Sequence, residues 1–155
     1  VVAGVKKEQI VEAVDIMKEL LAKLQTETRN YQDGSTYFGE MMNNMREGTG
    51  VYSYSHGDVY FGEWKDNALI NGTYMFKNGE SYQGSVRNGK HGHGKYRYAN
   101  GNIYEGSWES DLKHGKGEMK YPNGDRYDGN WEKGKKNGYG IYYYSSGIVY
   151  EGNYV

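Results

Sequence analysis

The chain has 155 residues, a formal net charge of −1 at pH 7, 24 glycines, 18 tyrosines, one proline and no cysteine. The lack of cysteine excludes a disulfide framework, Cys-ligated zinc, an iron–sulfur cluster and a thiol nucleophile. No apolar run reaches the ~18 residues that span a bilayer, and 19 Lys and Arg against 20 Asp and Glu lack the basic field of a dedicated nucleic-acid binder. Val, Leu, Ile and Phe make up roughly 15% of the residues, so aromatic side chains must supply the core. There is no signal-peptide pattern. Residue 1 is Val, and the pattern described below stops part-way at Val155, so the sequence reads as part of something longer.

Residues 1–30 and 31–155 are different materials. The first stretch has no aromatic residue and one glycine; the second holds every Tyr, Trp and Phe. Within residues 1–30, Ile10, Val14, Met17, Leu21 and Leu24 recur at alternating steps of four and three. That spacing predicts one apolar face of an amphipathic helix, widened by Val11, Ala13 and Leu20. About 25 residues of helix make a rod of roughly 37 Å. Three ways of burying the stripe are open: packing on the rest of this chain as a cap, a coiled coil with a partner, or docking into another protein. The stripe is wider than a strict coiled-coil seam.

Residues 31–155 repeat. Tyr37, Tyr60, Tyr82, Tyr104, Tyr127 and Tyr150 are spaced 23, 22, 22, 23 and 23 apart. Gly39, Gly62, Gly84, Gly106, Gly129 and Gly152 lie two residues after each, and Met41, Trp64, Val86, Trp108, Trp131 and Tyr154 lie four after. A Gly-x-Gly follows (Gly48/Gly50, Gly92/Gly94, Gly115/Gly117, Gly138/Gly140), reduced in the second repeat to Ile70-Asn71-Gly72. Paired large residues come next: Tyr52/Tyr54, Tyr74/Phe76, Tyr96/Tyr98, Met119/Tyr121 and Tyr142/Tyr144. Tyr31 and Gly34 fit the tail of a preceding repeat. The alternation is strand period, giving two short strands per repeat. The variation in repeat length points to slack in the polar stretch after the Trp (Lys65–Ala68, Glu109–Lys113, Glu132–Lys136), a solvent-facing loop. Between repeats, a three-residue loop ending in a left-handed Gly puts Tyr74, Phe76 and Tyr82 on one face, with Gly72 near Gly84. Pro122 suits the first turn position of such a loop. Glycines and aromatics then share a face, each glycine leaving room for a ring. One repeat cannot bury that face, but a stack can.

Tyr104-Glu-Gly106-Ser-Trp108 with Gly115-Lys-Gly117 and Tyr121-Pro-Asn-Gly124, and Tyr127-Asp-Gly129-Asn-Trp131 with Gly138-Tyr-Gly140, resemble the MORN repeat (membrane occupation and recognition nexus). The resemblance covers residues 31–155 as five near-full repeats with partial repeats at both ends. It departs at Ile70 for a Gly, at Met41 and Val86 for Trp, and over residues 1–30. It implies a mainly β fold: an elongated, single-layer, twisted antiparallel sheet of hairpin repeats, preceded here by the helix. It also implies a non-catalytic scaffold in a cytoskeletal, ciliary, flagellar or membrane-skeleton setting, binding a protein segment on its aromatic face or assembling end to end as a homo-oligomer.

The residues expected to line that face are Tyr82, Tyr96, Tyr98, Trp108, Tyr121 and Trp131, because an aromatic face is too apolar to leave bare. An alternative is a membrane-targeting module in which Lys133, Lys135 and Lys136 contact anionic phospholipid. Each such lysine contributes ~1 kcal/mol near a charged surface, and three are few for stable attachment. A third reading is a regulatory array of a larger enzyme. No catalytic triad, carboxylate pair or phosphate loop is identifiable. His91 and His114 share a repeat position ~10 Å apart, too far for one zinc ion. No cofactor, metal or nucleic acid is expected.

Overall fold

The computed structural model describes residues 7–23 and 25–155, with side chains from 8 to 19 and from 25 onward. Over these residues a helix, α1 (Lys7–Lys23), precedes twelve strands: β1 (Gln25–Asn30), β2 (Thr36–Met42), β3 (Met45–Ser53), β4 (Val59–Lys65), β5 (Ala68–Met75), β6 (Ser81–Val86), β7 (Lys90–Arg97), β8 (Ile103–Glu109), β9 (Leu112–Lys120), β10 (Arg126–Glu132), β11 (Lys135–Tyr143) and β12 (Val149–Tyr154). The strands form one antiparallel sheet in sequence order. Every connection joins neighbours, so each repeat touches mainly the next.

Two corrections concern the N-terminal stretch. The helix stops at Lys23, and Gln25–Asn30 is a strand that pairs with β2, Glu27 opposite Gly39. Its sequence, QTETRN, carries no apolar alternation; the neighbouring strand edge decides its conformation. Ile10, Val14 and Met17 are exposed, so these three positions of the stripe do not cap the sheet. The side chain of Leu21, and Leu24 altogether, lie outside the described residues.

Two rows run across the sheet. One is glycine: Gly39, Gly50, Gly62, Gly72, Gly84, Gly94, Gly106, Gly117, Gly129, Gly140 and Gly152 stand opposite one another from β2 to β12. The other, two residues away, is aromatic and broken only by Met119. The tyrosines at its repeat-leading positions fold down over the glycine row, so a single layer makes its own core. Tyr37, Tyr60, Tyr82, Tyr104 and Tyr127 are 0–1% exposed.

The ring of Tyr104 covers Gly117, in the next strand, more closely than Gly106. A Cβ on Gly117 would strike the Tyr104 ring atoms, whereas one on Gly106 would meet the backbone of Gly117 and lie 2.6 Å from the Lys116 carbonyl. Tyr37, Tyr60, Tyr82, Tyr104 and Tyr127 each keep the hydroxyl satisfied by donating to the carbonyl three residues on, as Tyr104 does to Ser107 at 2.8 Å. Each tryptophan donates its indole N–H to a row glycine: Trp64 to Gly50 at 3.2 Å, Trp108 to Gly94 at 3.0 Å and Trp131 to Gly117 at 3.1 Å. Edge-to-face contacts tie the repeats together. Tyr104 meets Trp108 at 5.0 Å and Trp131 at 5.3 Å, pairs worth ~0.5–1.5 kcal/mol each beyond burial.

The inter-repeat loops have the expected three-residue form. Phe76 N–H donates to Glu80 at 2.9 Å around Lys77-Asn78-Gly79, with Gly79 at φ +90°. The same bonds recur around Pro122-Asn123-Gly124, and at Tyr31–Ser35 before the first repeat. The slack within repeats differs from the expected polar loop. Asn43-Asn44, Asp66-Asn67 and Ser110-Asp111 are two-residue turns with both residues left-handed, the type I′ geometry that matches strand twist. The second repeat is short because its strand bulge lacks one residue: Gly62 faces Gly72 and Trp64 faces Leu69, where Gly106 faces Gly117 and Trp108 faces Lys113. The third is short in its turn, Arg87-Asn88-Gly89.

Candidate functional site: the aromatic face and its cations

Of the six residues expected to line a partner site, Tyr82, Tyr96, Trp108 and Trp131 are buried in the chain's own core. Tyr98 and Tyr121 are half-buried. They belong to a rim at the inter-repeat loops with Tyr54, Phe76 and Tyr144, each of which tilts against the preceding row residue or its neighbour. The Tyr52–Tyr54, Tyr74–Phe76 and Tyr96–Tyr98 centroids are 4.5–4.6 Å apart.

A carboxylate ladder supports this rim. In three loops the residue after the glycine is a carboxylate that reaches into the next repeat. Asp58 accepts from the Tyr74 hydroxyl at 2.7 Å and the Lys77 N–H at 2.8 Å. Glu80 accepts from the Tyr96 hydroxyl at 2.8 Å and the Ala99 N–H at 2.9 Å. Asp125 accepts from the Tyr142 hydroxyl at 2.9 Å and the Ser145 N–H at 2.8 Å. The backbone and tyrosine hydrogen bonds hold Glu80 and Asp125 below the ordinary carboxylate range. At Asp58 burial opposes ionisation, but the bonds from Lys77, Tyr74 and His56 prevail and its pKa is also lowered. The fourth position is Asn102, and the tyrosine it would have met is Met119. Sequence reasoning missed the ladder, though this matched loss of both partners was a signal for it.

Cations lie over the rings. Arg46 stands 4.8 Å from the Trp64 ring, Lys90 5.2 Å from Trp108, Lys113 4.6 Å from Trp131 and Lys136 5.0 Å from Tyr127. In the second repeat the position is Leu69, which faces Trp64 as Lys113 faces Trp108. The hairpin geometry aims these side chains at the aromatic face, whereas the sequence assigned Lys113 and Lys136 to a solvated loop. The three lysines expected to contact lipid are thereby separated: Lys133 and Lys135 are exposed, and Lys136 is half-buried among tyrosines.

Where Val86 takes the tryptophan position, a cavity of about 270 Å³ opens, lined by Leu69, Tyr74, Phe76, Tyr82 and Val86 with Lys90 and Asp111 at its edge. A second, of about 210 Å³, lies between Lys90, Tyr98, Trp108 and Lys113. Among the described residues no group of three or more His, Asp or Glu side chains gathers as a metal-ligand set, and no helix is long and apolar enough to cross a membrane. His56 pairs with Asp58 at 2.9 Å and His114 with Glu109 at 3.1 Å.

A one-layer sheet of two-strand repeats, tied by a glycine row and aromatic rings, defines the class as a β-hairpin repeat array. The chain belongs to the MORN repeat family, whose model matches residues 37–59, 82–103, 104–126 and 127–149. The unmatched stretch 60–81 is the repeat without the bulge glycine and with Leu69 for a cation. MORN repeats are protein-interaction or membrane-binding modules and generally non-catalytic. No curated protein matched the chain. Among solved structures it is similar to the TCP domain of SAS-4 (dCPAP) in complex with a proline-rich motif of Ana2 (dSTIL) of Drosophila melanogaster, at 15% identity over 83% of this chain and 90% of that one, TM-score 0.46. It is also similar to a catalytically inactive virginiamycin B lyase from Staphylococcus aureus with quinupristin, at 12% identity over 85% of this chain and 56% of that one, TM-score 0.23.

Proposed function

We propose that this chain is a non-catalytic scaffold that binds a protein segment on the rim of its aromatic face. The observation that carries this reading is the cavity at Val86, an apolar opening where the other repeats place a large side chain over the sheet. Half-buried Phe76, Tyr98 and Tyr121 flank the same rim and supply rigid contact area. The buried Tyr82, Tyr96, Trp108 and Trp131 act beneath it by fixing the rim in place. Family membership favours a cytoskeletal, ciliary, flagellar or membrane-skeleton assembly, with end-to-end homo-oligomers as one mode of building it. The exposed positions Ile10, Val14 and Met17 of α1 offer a second contact, for a partner rather than for the sheet. The membrane reading is weaker, because only Lys133 and Lys135 of its three lysines face solvent freely.

Affinity capture from cells, comparing wild type with Tyr98→Ala/Tyr121→Ala, tests the reading once circular dichroism shows the variant folded. Proteins held by wild type and lost by the variant are expected; identical capture overturns the rim as the docking surface. Co-sedimentation with anionic vesicles, sensitive to Lys133→Glu/Lys135→Glu while protein capture is not, would select the membrane reading. Sedimentation velocity over a concentration series reads end-to-end assembly.

A further inference from the structure

The rim carries one cation, Lys113, whose missing carboxylate partner traces to a single residue. In three repeats the same turn position donates its backbone N–H to the carbonyl of the basic residue one repeat earlier: Asn67 to Arg46 at 3.1 Å, Asp111 to Lys90 at 3.0 Å and Gly134 to Lys113 at 2.9 Å. These positions are therefore equivalent. Two of them also turn a side-chain oxygen back. Asn67 Oδ1 accepts from the Arg46 N–H at 2.8 Å, and Asp111 Oδ1 pairs with Lys90 Nζ at 2.6 Å. Gly134 has no side chain to offer. Among the described residues no carboxylate pairs with Lys113 or Lys136. Desolvation and the neighbouring charge of Lys136 hold Lys113 below the ordinary lysine range, as befits two half-buried cations with no anion between them.

The apolar cavity at Val86 lies on β5–β7, and Lys113 stands on β9. The cavity's β7 and β6 walls, at Lys90 and Val86, stand two and three strand spacings from Lys113, roughly 10–14 Å. An extended chain covers that distance in about three or four residues.

We propose that the aromatic face binds an extended acidic protein segment, placing a carboxylate at Lys113 and Lys136 and an apolar side chain, three or four residues away, in the Val86 cavity. This rests on the scaffold reading above and specifies the chemistry of the partner. Charge complementarity selects the acid, because the segment supplies what Asp111 supplies to Lys90. The lysines are recessed among Tyr98, Tyr121 and Trp131, so a single side chain reaches them where a flat layer of headgroups does not.

Selection from a random twelve-residue peptide library displayed on phage, followed by titration of the recovered peptides, tests the proposal. Two variants accompany it. Lys113→Met keeps a stem against Trp131 and removes the charge. Gly134→Asp installs the missing carboxylate in a left-handed conformation that Asp111 itself adopts, φ 70° against 84° at Gly134. Expected are peptides with Asp or Glu three or four residues from a large apolar residue, bound at least tenfold more weakly by each variant. If Gly134→Asp fails to fold, Lys113→Met carries the test alone. Recovered peptides that lack acids, or that bind Lys113→Met as tightly as wild type, overturn the inference and leave the scaffold reading standing. Recovery of no peptide at all overturns both. Phosphatidylserine vesicles bound by wild type and lost by Lys113→Met, with no acidic peptide recovered, would assign the lysines to lipid instead.

Discussion

The junction around Trp108 and the one around Val86 are built from the same repeat and differ in two residues. Trp108 sits edge-on between Tyr82 and Tyr104, at 5.6 and 5.0 Å, with Lys90 above it. Val86 occupies the corresponding place between Tyr60 and Tyr82, and Leu69 stands where a cation stands elsewhere. The consequence is that the most buried side chains fall into two clusters, bridged by the half-buried Tyr74 and Val86. Tyr37, Met41, Tyr60 and Trp64 form one cluster, and Tyr82 through Trp131 form another. Backbone pairing crosses the break without interruption. Hydrogen bonds thus cross the break at full strength, whereas ring packing there thins to the half-buried Tyr74, Phe76 and Val86.

The largest expected effect comes from making a second break. Trp108→Val should lose about 3–4 kcal/mol, toward the range for large aromatic truncations, and should add a transition to the urea unfolding of the wild type, read by tyrosine fluorescence and circular dichroism. A single transition at unchanged midpoint would show that the tryptophan does not couple the repeats. Gly117→Val comes next, at about 2–3 kcal/mol by overpacking, because Trp108 and Trp131 hold the Tyr104 ring that would have to move. Gly106→Val should cost a similar amount through the neighbouring backbone instead. Gly79→Val, with nothing within 4 Å of its new Cβ, separates the two kinds of cost, since only its left-handed backbone resists.

Filling the break is the converse experiment. Val86→Trp should occupy the cavity of about 270 Å³ and raise stability by ~0.5–2 kcal/mol, while weakening binding of any segment that uses the cavity. The ladder offers a further comparison. Asp125→Asn should lower the urea midpoint, because the Ser145 N–H and Tyr142 hydroxyl cannot both be satisfied as before. Asn102→Asp combined with Met119→Tyr should restore the missing rung and raise the melting temperature; neither change alone should.

The smallest effects are read from pH. The lowered carboxylates Asp58, Glu80 and Asp125 contribute stability that is present above the unfolded value near 4 and is lost as pH falls through their lower folded values. Burial pushes Tyr37, Tyr60 and Tyr82 up to about 12. Their contribution is complete below ~10 and is lost between about 10 and 12, where only the unfolded chain releases the proton. Urea midpoints should therefore fall from pH 10 upward, before the folded tyrosines ionise by absorbance. A midpoint level to pH 12 would contradict their burial.

Most of the repeat unit was legible because its signals are local. The spacing of the leading tyrosines, the Asn-Gly loops and Pro122 each follow from the φ values and side-chain parity of a short hairpin. Tyr74, Phe76 and Tyr82 share a face for that reason. The candidate site was less legible. Tyr82, Tyr96, Trp108 and Trp131 carry the composition of a docking surface, and only the glycine row shows that they cover the sheet itself. Lys113 and Lys136 carry the composition of a loop, and only the turn type aims them at the rings.

The sequence by itself determined a two-strand repeat, its loops and the pairing of glycine with aromatic residues, since these depend on neighbours within about ten positions. Tertiary structure decided what depends on the adjacent repeat. Gln25–Asn30 is a strand because the β2 edge offers it partners, despite a polar sequence with no period. Ile10, Val14 and Met17 have helical spacing, but spacing names a face and not what it meets, and in the structure these three side chains meet solvent. Lys113 is unpaired because residue 134, one repeat further on, has no side chain. Contacts across repeats are set by register, which no single repeat contains.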